Sequence, residues 1–169
     1  MSAVERPGVP VCVVFAEVVG VLPASELSVV GDRGGCVLMA REARSVRRAR
    51  GFVVRVLDGW GLADLADDAG LVVSELVTNA VMYAVPPAYA GVRVRVVRLA
   101  GGVRVEVHDA SAAKPERHAY GRGLVVVDAL TGGNWGVDTL RFGKSVWAEL
   151  GGDTARARRQ PPRGYGKAA

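Results

Sequence analysis

Val92-Arg93-Val94-Arg95-Val96 and Val103-Arg104-Val105-Glu106-Val107-His108-Asp109, joined across Gly101-Gly102, decide how this chain folds. Both runs alternate apolar and polar residues, so each reads as a strand with one buried face. The glycine pair between them is a two-residue hairpin signal. Parity adds a further point. Val103, Val105 and Val107 share the inner face, and the next residue of that parity is Asp109. A carboxylate there costs stability unless something partners it. Asp109 is either a strand-end acid turning to water or capping a loop, or a residue with chemistry to do.

Upstream, Cys36 to Ala40 follows Gly34-Gly35 and reads as a short strand. Arg41 to Leu57 places Ala43, Val46, Ala49, Phe52, Val53 and Val56 on one face, with arginines opposite. That pattern predicts a helix ending near Gly59. A second helix opens at Gly61-Leu62, with Asp64, Asp67 and Asp68 in its first turns, where negative charge suits the helix dipole. Its apolar residues, Leu65, Ala66, Ala69, Val72, Val73, Leu76, Val77 and Ala80, recur near the 3.6-residue period. It stops before Pro86-Pro87. Glu75 and Asn79 are set into it four residues apart, so they point the same way.

Downstream, residues 110–122 are loop-like and end in Gly121-Arg122-Gly123. Leu124 to Leu130 is rich in valine. It reads as a strand by propensity, or as a helix with Leu124, Val127 and Leu130 inward, ended by Gly132-Gly133. Trp135 to Thr139 and Ser145 to Leu150 complete the pattern as strands, the latter with Val146, Ala148 and Leu150 on one face. Helices in runs, with antiparallel hairpins, indicate an α+β two-layer sandwich. The sheet is expected to be mixed but mostly antiparallel, with helices on one face. The regular alternation of a dinucleotide-binding fold is missing. Gly143-Lys144-Ser145 lacks the upstream glycine of a P-loop and leads into a strand.

The chain has 169 residues, which suggests one domain, and half of them are hydrophobic, enough for a sizeable core. Residues 1–35 are read as an N-terminal extension able to supply one edge strand, 36–151 as the domain, and 152–169 as a basic, disordered tail. The formal charge is +5. The excess lies mainly in Arg41, Arg44, Arg47, Arg48 and Arg50, a cluster without interleaved aromatics, and in the tail; no reading helix is evident, so nucleic acid is not the expected partner. Cys12 and Cys36, with His108 and His118, lack zinc-site spacing, and a disulfide framework is unsupported. The apolar run Val9 to Ala16 is too short to span a bilayer and lacks the flank of a signal peptide. A cytoplasmic protein without a membrane partner is expected.

Glu75, Asn79, Asp109 and the Gly121–Gly123 turn fall in the order that a nucleotide site needs. An adenine amino group donates, so a buried carboxylate such as Asp109 is a suitable acceptor. Magnesium takes oxygen ligands and keeps waters, so the Asn79 amide oxygen plus phosphate oxygens suffice. Glycines 121 and 123 let the backbone approach phosphates at a helix N-terminus, with Arg122 or Lys114 adding charge.

Ser74 to Ala80, Val107 to Ser111, and Gly121 to Asp128 together resemble the motif boxes of the GHKL ATP-binding domain (the Bergerat fold). That domain is shared by gyrase, histidine kinases, MutL and the heat-shock chaperone. Leu62-Ala63-Asp64, Trp135-Gly136-Val137 and Gly143 to Trp147 also look like its small branch of bacterial anti-sigma factor serine kinases. The resemblance covers residues 36–150. It implies ATP and Mg2+ as cofactors, Asn79 as the metal ligand, and Asp109 as adenine reader. Gly121, Arg122 and Gly123 would face the phosphates, and Ser111, Leu124 and Ser145, within the matched motifs, would join the nucleotide site. Glu75 would be the catalytic base toward a serine or threonine hydroxyl of a STAS-domain anti-sigma factor antagonist. A sigma factor would be the sequestered partner, and a homodimer is compatible with the resemblance. Two departures are plain: Ser111 stands where the wider family has glycine, and Tyr83 where relatives commonly carry histidine. No histidine-bearing dimerisation helix precedes the domain, which argues against a two-component sensor kinase. The alternatives are a nucleotide-gated binding module without catalysis and a basic nucleic-acid-associated domain.

Overall fold

The computed structural model describes residues 27–83, 91–111, 123–141 and 143–152. In chain order the elements are β1 (Leu27–Val30), β2 (Gly34–Met39), α1 (Arg44–Gly59), a 3-10 turn (Ala63–Leu65), α2 (Ala66–Tyr83), β3 (Val92–Leu99), β4 (Gly102–Asp109), α3 (Gly123–Thr131), β5 (Trp135–Leu140) and β6 (Gly143–Gly151). The strands form one sheet in the order β1-β2-β3-β4-β6-β5. Every pairing is antiparallel. This is the expected α+β sandwich. β1 and the first residues of β2 lie upstream of the boundary expected at residue 36, yet they hydrogen-bond into the sheet as its edge.

Val92, Val94 and Val96 of β3 and Val103, Val105 and Val107 of β4 meet Phe52, Val53 and Leu57 of α1 and Val73, Leu76 and Val77 of α2 in a single core. Helix α1 ends at Gly59, but Gly61 is the residue that stops it. Gly61 has φ 69°, Leu62 N–H donates to the Leu57 carbonyl at 2.9 Å, and Gly61 N–H to that of Asp58 at 3.1 Å. This pair of bonds closes the helix end only with a left-handed residue at position 61. The β3–β4 hairpin turns at Ala100-Gly101, not Gly101-Gly102. Leu99 pairs with Gly102, and Gly101 alone of those two glycines has positive φ. The valine-rich run is helical. Its inward residues are Gly123, Leu124, Val127 and Thr131, and burial against α2 and β6 overrides its strand propensity. Cys36, fully buried in β2, is disulfide-bonded, which corrects the expectation, drawn from spacing, that a disulfide is unsupported. Spacing along the chain does not report which sulfurs meet in space.

The opposite face of the sheet is polar. Glu106 accepts from Arg95 at 3.2 Å, Arg104 at 2.9 Å and His108 Nε2 at 3.1 Å. Arg104 also reaches Glu149 and Asp138 and lies 4.0 Å over the Trp147 ring. Arginine only donates, so the Arg93 contact to His108 Nδ1 at 3.2 Å fixes that nitrogen as an acceptor and the ring as neutral. Burial depresses the His108 pKa below its ordinary 6.5, and the nearby arginine charges push the same way against the Glu106 contact. For Glu106, burial works upward, but the His108 and Arg104 bonds and the Arg95 charge outweigh it and bring the pKa from 4.5 to about 2.

Both folded pKa values lie below their unfolded ones, so the unfolded chain binds protons first as pH falls. Stability is then fully present above about 6.5. It falls first as unfolded histidine protonates, then through the window from 4.5 to about 2. The Glu106 step is worth at most about 3 kcal/mol. Thermal melts between about pH 7 and pH 3 should show a falling midpoint, with the lower limb flattened in Glu106→Gln. A midpoint that holds level through the acid range would contradict this account.

Candidate nucleotide site

Helix α2 positions the first two residues. Its inner stripe is Ala69, Val72, Val73, Leu76, Val77 and Ala80. Glu75 and Asn79 flank that stripe one turn apart, half-buried rather than sealed in. Neighbouring hydroxyls are tied back into the helix: Ser74 donates to the Gly70 carbonyl at 2.6 Å and Thr78 to that of Ser74 at 2.7 Å. They leave the carboxylate and the amide as the side chains of this edge with groups to offer.

Gly123 opens α3 against them. A Cβ at residue 123 would stand 2.6 Å from Glu75 Oε2 and 3.7 Å from Asn79 Oδ1. With glycine at 123 the start of this helix and the Glu75 carboxylate can both keep these positions. The acid, the amide and the N-terminal end of α3 therefore meet. This edge fits a metal-bound phosphate chain: one amide oxygen for a hard cation, and a helix start at which backbone amides suit phosphate. Among the described residues, no group of three or more His, Cys, Asp or Glu could hold a metal alone. Magnesium held by one amide and a nucleotide's own oxygens needs no such group.

Asn79 and Asp109 line one cavity, with Leu76, Ala80, Leu124, Lys144 and Val146. Asp109 reaches it by the parity read from β4 and is 6% exposed. Its Oδ1 accepts from Ser111 N–H at 2.8 Å and from Lys144 Nζ at 3.0 Å. Lys144 also donates to the Ser111 carbonyl at 3.4 Å and is itself 4% exposed. The cavity is about 10 Å³, room for one water at most.

Lys144 was not expected here; Ser145 was. In the β4–β6 register Asp109 pairs with Lys144 and His108 with Ser145. Ser145 thus faces the polar side of the sheet, away from the cavity. Continuing the inward parity of Leu150, Ala148 and Val146 by one step would have found Lys144. Gly143 enforces the register. Its φ is 98°, and a Cβ there would fall 1.9 Å from the Asp109 carbonyl oxygen. Leu124 lines the cavity, Gly123 abuts Glu75, and Ser111 closes over Asp109. Gly121, Arg122 and Lys114 lie outside the described residues.

The sequence around this site also matches a known family. A family model described as a histidine kinase-like ATPase domain matches residues 39–136, more than half of the chain. The chain belongs to that family. This ATPase domain is an ATP-binding domain, and the match takes in Glu75, Asn79, Asp109 and Gly123. It ends within β5, so Gly143 and Lys144 lie beyond it. No curated protein matches the chain. Among the described residues, no helix is long and apolar enough to cross a membrane.

Proposed function

We propose that this protein is an ATP-dependent regulatory kinase. It transfers phosphate to a serine or threonine of a STAS-domain anti-sigma factor antagonist, and it sequesters a sigma factor. The supporting observation is the meeting of Glu75, Asn79 and Gly123, with Asp109 lining the same cavity as Asn79. Phosphoryl transfer needs positioning and charge stabilisation more than covalent help from the protein. Asn79 offers its amide oxygen to magnesium, and Asp109 offers its carboxylate to the adenine amino group. Glu75, one helical turn from Asn79, takes the proton from the attacking hydroxyl. Magnesium, when bound, neutralises charge on the transferring phosphate.

Calorimetry with Mg-ATP tests the binding half. Asn79→Ala should weaken binding by about tenfold or more, since it removes the metal's protein ligand. The change is small and half-exposed, so the fold should persist. Undiminished binding in that variant would remove Asn79 from the site. Asp109→Ala is a poorer probe, because it also removes the acceptor of the Ser111 N–H and of the Lys144 ammonium. The second reading, a nucleotide-gated binding module without catalysis, uses the same cavity at Asn79 and Asp109 and needs no base at Glu75, which does not line it. ATP binding with no phosphoprotein formed from the antagonists tested would select it.

A further inference from the structure

We infer that Lys144 is a built-in competitor for the base end of the nucleotide site. Its ammonium stands on one oxygen of the carboxylate to which an adenine amino group would donate. The inference rests on the nucleotide reading above and extends it to what controls affinity. Lys144 Nζ lies 3.0 Å from Asp109 Oδ1, and both side chains are nearly sealed from solvent, 5% and 4% exposed. The cavity beside them holds about 10 Å³. Pockets that bury a nucleotide-sized ligand run to hundreds of cubic ångströms. With the lysine in place the cavity has no room for a purine at Asp109.

The arrangement is held in place. Gly143, with its positive φ, packs directly on the Asp109 backbone, and the next residue must then face Asp109 across the β4–β6 pair. Ser111 holds both partners, donating its N–H to the carboxylate and accepting from the ammonium with its carbonyl. A lysine has four methylenes and reaches solvent by rotating them, so it can leave without unfolding β6. The nucleotide must supply the free energy of that displacement. The apparent affinity is lowered by the fraction of time the lysine is out.

Two measurements on the full chain test this. The first is Mg-ATP calorimetry on the wild type and Lys144→Thr, in which a short hydroxyl replaces the ammonium. The variant should bind about tenfold tighter or better, as expected if the lysine is in place roughly nine-tenths of the time. The second uses the wild type alone. Acetic anhydride labelling at Lys144, read by mass spectrometry, should be slow without nucleotide and several-fold faster with saturating Mg-ATP. If Lys144→Thr fails to fold, the labelling result decides. Equal or weaker affinity in a folded variant overturns the competitor, as does unchanged labelling with ATP bound, while wild-type binding keeps the nucleotide reading standing. No binding by either protein overturns both.

Discussion

Gly143→Ala is expected to lower the melting midpoint by roughly 10 °C or more and to abolish nucleotide binding together with it. Gly143 has φ 98°, a region that costs a side-chain-bearing residue about 1–3 kcal/mol. The larger penalty is steric. The new Cβ would sit 1.9 Å from the Asp109 carbonyl oxygen and 2.7 Å from Ala110 Cα. Both are backbone atoms, so no side-chain rotation relieves the overlap. The end of β6 must lift from β4, and the pairs Asp109–Lys144 and His108–Ser145 open first. Those pairs position the carboxylate that would read the base. Gly59→Ala is the control. Gly59 is helical, and nothing lies within 4 Å of its Cβ position. It should gain about 0.5–1 kcal/mol from better helix propensity. Circular dichroism melts of the two variants should shift in opposite directions. A Gly143→Ala midpoint within a few degrees of wild type would show that the β4–β6 junction yields more easily than its geometry indicates.

Strand parity carried most of what the chain disclosed about this site. Alternation in β4 put Asp109 inside, and helical spacing in α2 put Glu75 beside Asn79. Both are short-range regularities, so they survive without knowledge of neighbours. What stayed hidden depends on pairing between distant segments. Lys144 needed the register of β6 against β4 before its ammonium could be matched to Asp109, and the motif-level reading chose Ser145 one residue on. A shift of one residue in a strand reverses its face. The glycine at 123 was read as leaving room for phosphate. The structure adds that it leaves room for the Glu75 carboxylate, a contact between helices that no spacing reports. For the valine-rich helix α3, propensity favours a strand, and only its packing against α2 decides. Trp135 Nε1 donates to Asp128 Oδ1 at 2.8 Å and ties the helix end to β5. The edge strand β1 sits in a stretch that reads only as an extension able to supply such a strand; four residues are a weak strand signal, even with the turn residues Gly31-Asp32 after them.

Glu75→Ala should reduce phosphoryl transfer by about 10²–10⁴-fold while leaving Mg-ATP affinity within a few-fold of wild type. The split is the informative part. Asn79 and Asp109 line the cavity, and Glu75 does not. Its carboxylate instead points at the start of α3, beside Gly123. A group so placed is suited to the hydroxyl that attacks, not to the base or its pocket. Gly123→Ala separates presence of the carboxylate from its placement. The added Cβ would come 2.6 Å from Glu75 Oε2, the far end of a flexible side chain that can swing aside at little cost to the fold. The carboxylate is then retained but displaced by an ångström or more, and transfer should drop by about 10²-fold. Quenched-flow measurement of phosphoprotein formed from a STAS-domain antagonist, with calorimetry in parallel, reads both effects. Transfer undiminished in Glu75→Ala would remove the carboxylate as base. Transfer lost in Glu75→Ala but intact in Gly123→Ala would mean that its position at the helix start is immaterial, and that Glu75 acts at longer range through an ordered water.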